Sequence, residues 1–154
     1  MDKNHIIIIV LVVIIVALAA LIAGALFFNN SEDDVIIYNN TIDGVGTFNS
    51  TNVTNFTFDK SNSKQTDYLA NDSIAQISLT TSSYFIDNTI SEADRVNDSA
   101  EGHTIYKNTA NVGEHKGDVR YFSVLQDNEK QRYIFISTAD YNLTCMIVDS
   151  FVIF

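Results

Sequence analysis

The chain has 154 residues, a formal net charge of −10 and a single cysteine, which leaves room for one ordinary domain and an appendage. The acidic balance argues against nucleic-acid binding, because neutralising phosphates requires a basic surface. One cysteine, Cys145, cannot form an intrachain disulfide. We interpret Cys145 as a small buried or half-buried apolar residue, with an intermolecular disulfide as the alternative.

The N-terminal part of the chain contains a long apolar segment. Residues 6–28 carry no charged or polar side chain. As a helix this segment would be roughly 34 Å long, enough to cross a hydrocarbon core of about 30 Å. It therefore predicts a transmembrane helix that attaches the protein to a membrane.

The flanks of the apolar segment predict its orientation. Lys3 precedes it, and the linker 29–34 that follows has acidic but no basic residues. The positive-inside rule therefore places residues 1–5 in the cytoplasm and a domain formed by residues 35–154 outside the cell membrane. Two alternatives stay open: a cleaved secretory signal peptide, and a pilin-like subunit whose apolar helix packs into a filament core.

Acceptor triplets for N-linked sugar, with the pattern Asn-x-Ser/Thr, are frequent beyond the apolar segment. They begin at Asn29, Asn39, Asn49, Asn52, Asn55, Asn71, Asn97 and Asn142. Chance at this composition would give only about three such triplets. The excess agrees with the charge rule, and together they predict a glycosylated extracytoplasmic domain.

Three of these triplets follow one another directly in the stretch NSTNVTNFTF. Because side chains alternate along a strand, Asn49 and Asn55 would share one face and Asn52 the other. With Phe56 and Phe58 pointing inward, we expect Asn55 to point outward on a strand. The residues before it are expected to form a loop.

The first half of the domain contains apolar runs of strand length between polar turns. Residues 35–42 and 55–58 are predicted as strands, with a turn over 43–46 between them. The polar residues 63–73 are interpreted as a loop. Residues 74–81 alternate between apolar and polar side chains, which predicts a half-buried strand that 84–86 extends or follows.

A short mid-chain helix is predicted over residues 91–102. Ser91 and Asp94 have the spacing of a capping box, and Gly102 can end a helix. Only a few small apolar residues lie within the segment, so we expect it to pack shallowly. Its acidic residues lack the central glycine of a calcium loop.

The last third of the chain has the clearest pattern. Residues 119–125 and 132–138 predict an antiparallel hairpin of central strands. Asp140 can cap a following helix, whose apolar residues recur with helical spacing from Leu143 onward. A terminal strand is the alternative for residues 141–151, because valine, isoleucine and phenylalanine favour strands.

These elements predict an α+β fold. We expect an N-terminal transmembrane helix and a small domain with a mainly antiparallel β-sheet, a short mid-chain helix and a C-terminal helix packed on the sheet. The sequences TIDGVGTF, GEHKGDVRYFSVL, RYIFISTAD and MIVDSF resemble small membrane-anchored proteins of methanogenic archaea with a PsbP/Mog1-like α+β domain. The resemblance, over residues 41–151, implies this fold and an extracytoplasmic location, and it implies no functional residue.

Catalytic and metal-binding patterns are weak. His103, His115 and a carboxylate such as Glu114 lack the spacing of a metal site, and the chain has no G-x-S-x-G motif. We therefore predict no catalytic, cofactor or metal site. The leading hypothesis is a surface display or binding module that contacts an envelope component or a protein partner. The pilin-like subunit and the secreted protein are the alternatives, and an anchored hydrolase ranks below them.

Overall fold

The computed structural model describes two antiparallel sheets and two helices. It covers residues 35–51, 53, 56–61, 64–70, 74–110 and 116–154. The predicted transmembrane segment 6–28 and the linker 29–34 lie outside these residues. Neither helix in the described ranges has the length and apolar character needed to cross a membrane.

The elements alternate between strands and two short helices. In chain order they are β1 (Ile37–Ile42), β2 (Gly46–Thr51), β3 (Thr57–Ser61), β4 (Gln65–Leu69), β5 (Ala75–Thr80), α1 (Ser83–Ser91), β6 (Asp94–Arg95), β7 (Tyr106–Thr109), β8 (Val119–Asp127), β9 (Arg132–Thr138), α2 (Tyr141–Asp149) and β10 (Val152–Ile153). The predicted α+β class is confirmed, and the predicted single sheet is in fact two.

The small sheet has the strand order β1-β2-β10. Its first two strands form a hairpin around the predicted turn, where Gly44 adopts a left-handed φ of 69°. The large sheet has the order β3-β4-β5-β9-β8-β7-β6. The predicted late hairpin is confirmed as β8 and β9, whose register runs from Tyr121 opposite Thr138 to Asp127 opposite Arg132.

The hydrophobic core lies between one face of the large sheet, helix α2 and the inner face of the small sheet. Ile77 pairs with Ile136 across β5 and β9, and both are fully buried. Helix α2 contacts β8 and β9 of the large sheet and β2 of the small sheet. Ile147 on this helix and Phe48 on β2 belong to the same buried cluster. The C-terminal helix is therefore packed on the sheet, as predicted.

The start of α2 confirms the predicted cap. The Leu143 N–H donates to the Asp140 carboxylate at 2.8 Å, which satisfies a backbone donor that a helix start leaves unpaired. The alternative of a terminal strand is wrong for residues 141–149, although two residues of β10 do follow the helix. Burial of one apolar face outweighed the strand propensity of the β-branched residues.

The mid-chain helix lies earlier than predicted. Helix α1 begins after Ser82, whose side chain accepts the Phe85 N–H at 3.2 Å, and it ends at Ser91. Phe85 packs 5.8 Å from the Phe135 ring, and Ile86 is buried. Packing of these large side chains stabilises a helix over 83–91, so the predicted strand continuation at 84–86 is wrong.

The predicted helix over 91–102 is also wrong. Its first residue, Ser91, ends α1, and residues 94–95 form the short strand β6, which pairs with Tyr106 and Lys107 of β7. The rest is a loop in which the Val96 N–H donates a hydrogen bond to the Ile105 carbonyl oxygen at 2.9 Å. The segment offers only small apolar side chains, so helical packing could not stabilise it.

The polar residues 63–73, predicted as a loop, contain a strand. Residues 65–69 of the predicted loop form β4, which pairs with β3 on one side and β5 on the other. The predicted half-buried strand β5 is buried on both faces, since Ser78 and Thr80 are as enclosed as Ile77. Asn49 lies on β2 and not in the predicted loop before Asn55.

Candidate functional site

The outward-facing side of the small sheet carries two of the predicted sugar acceptors. Alternation on β1 and β2 buries Asn40, Ile42, Phe48 and Ser50 on the inner side. We use the term outer face for the residues on the opposite side. They are Ile37, Asn39, Thr41, Thr47, Asn49, Thr51 and Val152.

Asn39 and Asn49 are directly opposite each other on this outer face. The Asn39 amide nitrogen donates to the Asn49 side-chain oxygen at 3.1 Å. The Asn49 backbone N–H donates to the Ser150 hydroxyl oxygen at 2.8 Å, beyond the end of the short strand β10. These two bonds fix the position of Asn49 at the centre of the face.

A buried polar contact below the outer face holds the same hairpin together. The Asn40 amide nitrogen donates to the Ser50 hydroxyl oxygen at 2.8 Å, and the Ser50 hydroxyl donates to the Val53 carbonyl. Both side chains are satisfied although they are buried, as interior polar groups require. The strand register that presents Asn39 and Asn49 outward is therefore supported from beneath.

Asn97 and Asn142 are exposed at a second place on the surface. The Tyr141 hydroxyl joins the segments that carry them, because it donates to the carbonyl oxygens of Asn97 and Asp98 at 3.4 and 3.3 Å. The hydroxyl residues of both triplets are enclosed by the fold. An enzyme that must reach the whole triplet could modify these two asparagines only before the chain folds.

The other predicted acceptors cannot be placed. Asn29, Asn52, Asn55 and Asn71 lie outside the described residues, so their use as sugar sites stays a prediction.

The only cysteine of the chain, Cys145, lies half-buried on α2. Burial raises the pKa of the Cys145 thiol, and its hydrogen bond with Tyr141 raises the pKa of the Tyr141 hydroxyl. A thiol that stays protonated is a weak nucleophile. Nearby, Ser99 donates to the Asp149 carboxylate and accepts the His103 backbone N–H at 3.0 Å, an arrangement that stabilises the loop on the helix.

Metal-ligating residues do not converge in the described ranges. No group of three or more histidine, cysteine, aspartate and glutamate side chains there could hold a metal ion. His103 belongs to these ranges, whereas Glu114 and His115 lie outside them.

A small polar cavity of about 200 Å³ lies at one end of the neighbouring strands β4, β5 and β9 of the large sheet. Its walls are formed by residues 64–66, residues 79–81 and Arg132. Ligand cavities usually measure about 300–1,000 Å³, so this one could admit only a small molecule. The sequence did not predict the cavity, because residues 64–66 were interpreted as loop and their pairing with β5 depends on tertiary structure.

An ion pair adjoins this cavity. The Arg132 guanidinium donates to the buried Asp127 carboxylate at 2.8 Å and to the Gly44 carbonyl at 2.8 Å. Burial works to raise the pKa of Asp127, but hydrogen bonds from the Lys130 N–H and from Arg132, with the charges of both, hold it below its ordinary value. The Lys130 ammonium also donates to Gly44 O at 2.8 Å. The cluster thus joins the hairpin turns of the two sheets.

In comparisons with known proteins, no family profile, curated protein or solved structure matches the chain. Function must therefore be argued from the residues themselves. Of the predicted site residues, the fold brings Asn39 and Asn49 together and leaves Asn97 and Asn142 at a separate place joined by Tyr141.

Proposed function

We propose that the protein is held in a cell membrane by residues 6–28 and displays an acidic, N-glycosylated α+β domain outside the cell. The domain would act by binding an envelope component or a protein partner. Tethering raises its effective concentration at the membrane. We also propose that the domain is similar to the PsbP/Mog1-like domain of small anchored proteins of methanogenic archaea.

One observation carries the proposal: the Asn39–Asn49 pair on the outer face of the small sheet. Both asparagines belong to acceptor triplets, both side chains lie on the solvent side of the sheet, and their triplet hydroxyls on Thr41 and Thr51 are exposed or half-buried on the same face. N-linked sugar is bulky and needs a surface position. The folded domain supports such attachment here better than at Asn97 or Asn142.

Cysteine labelling in intact cells tests the orientation. Tyr84 on α1 is 77% exposed, so Tyr84→Cys in a Cys145→Ser background provides an accessible reporter in the domain. Asn4→Cys in the same background reports on the predicted cytoplasmic end. A membrane-impermeant maleimide should label the first variant in intact cells and the second only after lysis. Labelling of the Tyr84→Cys variant only after lysis would refute the proposal.

Intact mass of the detergent-extracted protein separates the alternatives. A full-length mass with added sugar supports the anchored glycoprotein. Loss of the apolar segment would establish a secreted protein, and loss of only a few leading residues would support the pilin-like subunit. A full-length mass without any sugar would remove the glycoprotein part of the proposal.

A further inference from the structure

The outer face of the small sheet has an unusual composition for an acidic protein. None of its residues is charged, although the chain has a net charge of −10. Ile37 at one end and Val152 at the other are 60% and 59% exposed. The face therefore presents two separate exposed apolar side chains on an otherwise polar, uncharged surface, and covering them would remove apolar area from water.

Asn49 is placed to cover both of these apolar side chains. In the strand register Ile37 pairs with Thr51, and Val152 pairs with Thr47. Asn49 lies two residues from each of those threonines on β2, so it is the diagonal neighbour of both Ile37 and Val152. Such neighbours are about 7–8 Å apart, a distance that the first sugar residues attached to an asparagine can span.

Asn39 orients the Asn49 side chain for attachment. By donating to the Asn49 side-chain oxygen, it directs the amide nitrogen of Asn49 away from β1. That nitrogen makes no hydrogen bond with any residue that the structure describes. Asn39 itself lies two strands away from Val152 and could cover only Ile37.

We propose that Asn49 carries an N-linked sugar whose first residues lie over Ile37 and Val152, with Asn39 as a positioning residue. This inference rests on the proposed function, since it requires that the domain be glycosylated. Sugar rings present C–H groups as well as hydroxyls, so a sugar chain can cover apolar side chains while its other side stays hydrated.

Other ways of covering the outer face fit the structure less well. A second copy of the chain would need about 800 Å² per partner for a standard interface, more than three short strands offer. A membrane surface is disfavoured because anionic headgroups repel an acidic domain. The acceptor triplet at the centre of the face fits an N-linked sugar and neither of these other occupants.

Two substitutions at Thr51 separate the effect of the sugar from the effect of the lost methyl group. Thr51→Ala removes the Asn49 acceptor triplet, whereas Thr51→Ser trims the same methyl group and keeps the triplet. The full chain is produced in cells that attach N-linked sugar and is purified in detergent. Peptide mapping reports sugar on Asn49. Hydroxyl-radical oxidation reports the exposure of Val152, with Tyr84 as the internal reference.

The expected result is sugar on Asn49 in the wild type and in Thr51→Ser but not in Thr51→Ala. Oxidation of Val152 should be about twofold faster in Thr51→Ala, as expected if the sugar covers half of the exposed side chain. Val152 is not the partner of Thr51, so lost packing cannot produce this change. Thr41→Ala, which removes only the Asn39 triplet, should leave the rate unchanged.

Three results would overturn the inference. Sugar on other asparagines but never on Asn49 would refute it and leave the proposed function standing. Sugar on Asn49 with equal Val152 oxidation in the two Thr51 variants would show that the sugar does not cover the face. A protein without sugar at any acceptor would refute this inference together with the glycoprotein part of the proposed function.

Discussion

Replacing Gly46 with alanine is expected to detach the short strand β10 from the small sheet. A Cβ atom at Gly46 would collide with the Val152 carbonyl oxygen and would lie 2.7 Å from Cε1 of Phe151. A backbone carbonyl cannot rotate away as a flexible side chain can. Strand β10 and the Phe151 ring must therefore move.

The cost follows from the contacts that this movement disturbs. The Phe151 ring stacks on the buried Phe48 ring at 5.2 Å, and such pairs contribute about 0.5–1.5 kcal/mol. Overpacking in a closely packed site costs about 1–3 kcal/mol. Allowing for partial relaxation of the strand, we expect Gly46→Ala to lower the free energy of unfolding by roughly 1–4 kcal/mol.

Tyrosine signals allow this loss to be measured in the full chain. The protein has no tryptophan, and all 7 tyrosines lie beyond the apolar segment, so near-ultraviolet circular dichroism during urea unfolding reports on the domain alone. Gly44→Asn is the matched control in the same hairpin. Gly44 has open space around it, and asparagine tolerates a left-handed backbone, so this variant should lose less than about 1 kcal/mol. Equal losses in the two variants would refute the steric argument.

The remaining predictions concern the ion pair, the core and the helix cap. The Asp127 carboxyl has a pKa below its ordinary value. Its contribution to stability is therefore complete above the unfolded pKa of about 3.9 and is lost as the pH falls through the lower folded pKa. Urea unfolding at several pH values should show that the Asp127→Asn variant loses this part of the acid sensitivity. Ile147→Ala should lower the free energy of unfolding by about 2–5 kcal/mol, because it leaves a cavity at a fully buried position. Asp140→Ala should cost about 0.5–2 kcal/mol by removing the α2 cap, measured in the same assay.

Graded variants provide the controls. Ile147→Val removes one methyl group and should cost only about 0.5–1.5 kcal/mol. Asp140→Asn keeps a side-chain oxygen for the cap and should restore most of the loss seen with alanine. An Asp127→Asn variant as acid-sensitive as the wild type would contradict the ion-pair argument. An Ile147→Ala variant as stable as the wild type would contradict the burial of Ile147 in the core.

Sequence patterns predicted the late elements because their pairing is local. The strands β8 and β9 are joined by a short turn, and both have strand-forming side chains on both faces. The Asp140 cap and the apolar spacing of α2 are likewise readable within a few residues. The strand order within the two sheets could not be derived from local patterns, because strands such as β10 and β2 pair although they are far apart in the chain.

The missed strand β4 shows where such patterns fail. Its residues include Asp67, which is buried even though aspartate usually lies at the surface. What buries it is pairing on both sides, with β3 and with β5, and no local pattern records two long-range neighbours. The polar cavity beside Arg132 was missed for the same reason.

The strand register links the core of the small sheet to its sugar acceptors. Side chains alternate along β2, so a shift by one residue would turn Asn49 inward and Phe48 outward. Phe48 is only 1% exposed and packs against both Phe56 and Phe151, and this contact opposes such a shift. Burial of one aromatic ring therefore determines which asparagine faces the solvent. The acceptor triplets can be found from sequence, whereas the side on which each one lies follows from the packing of its apolar neighbours.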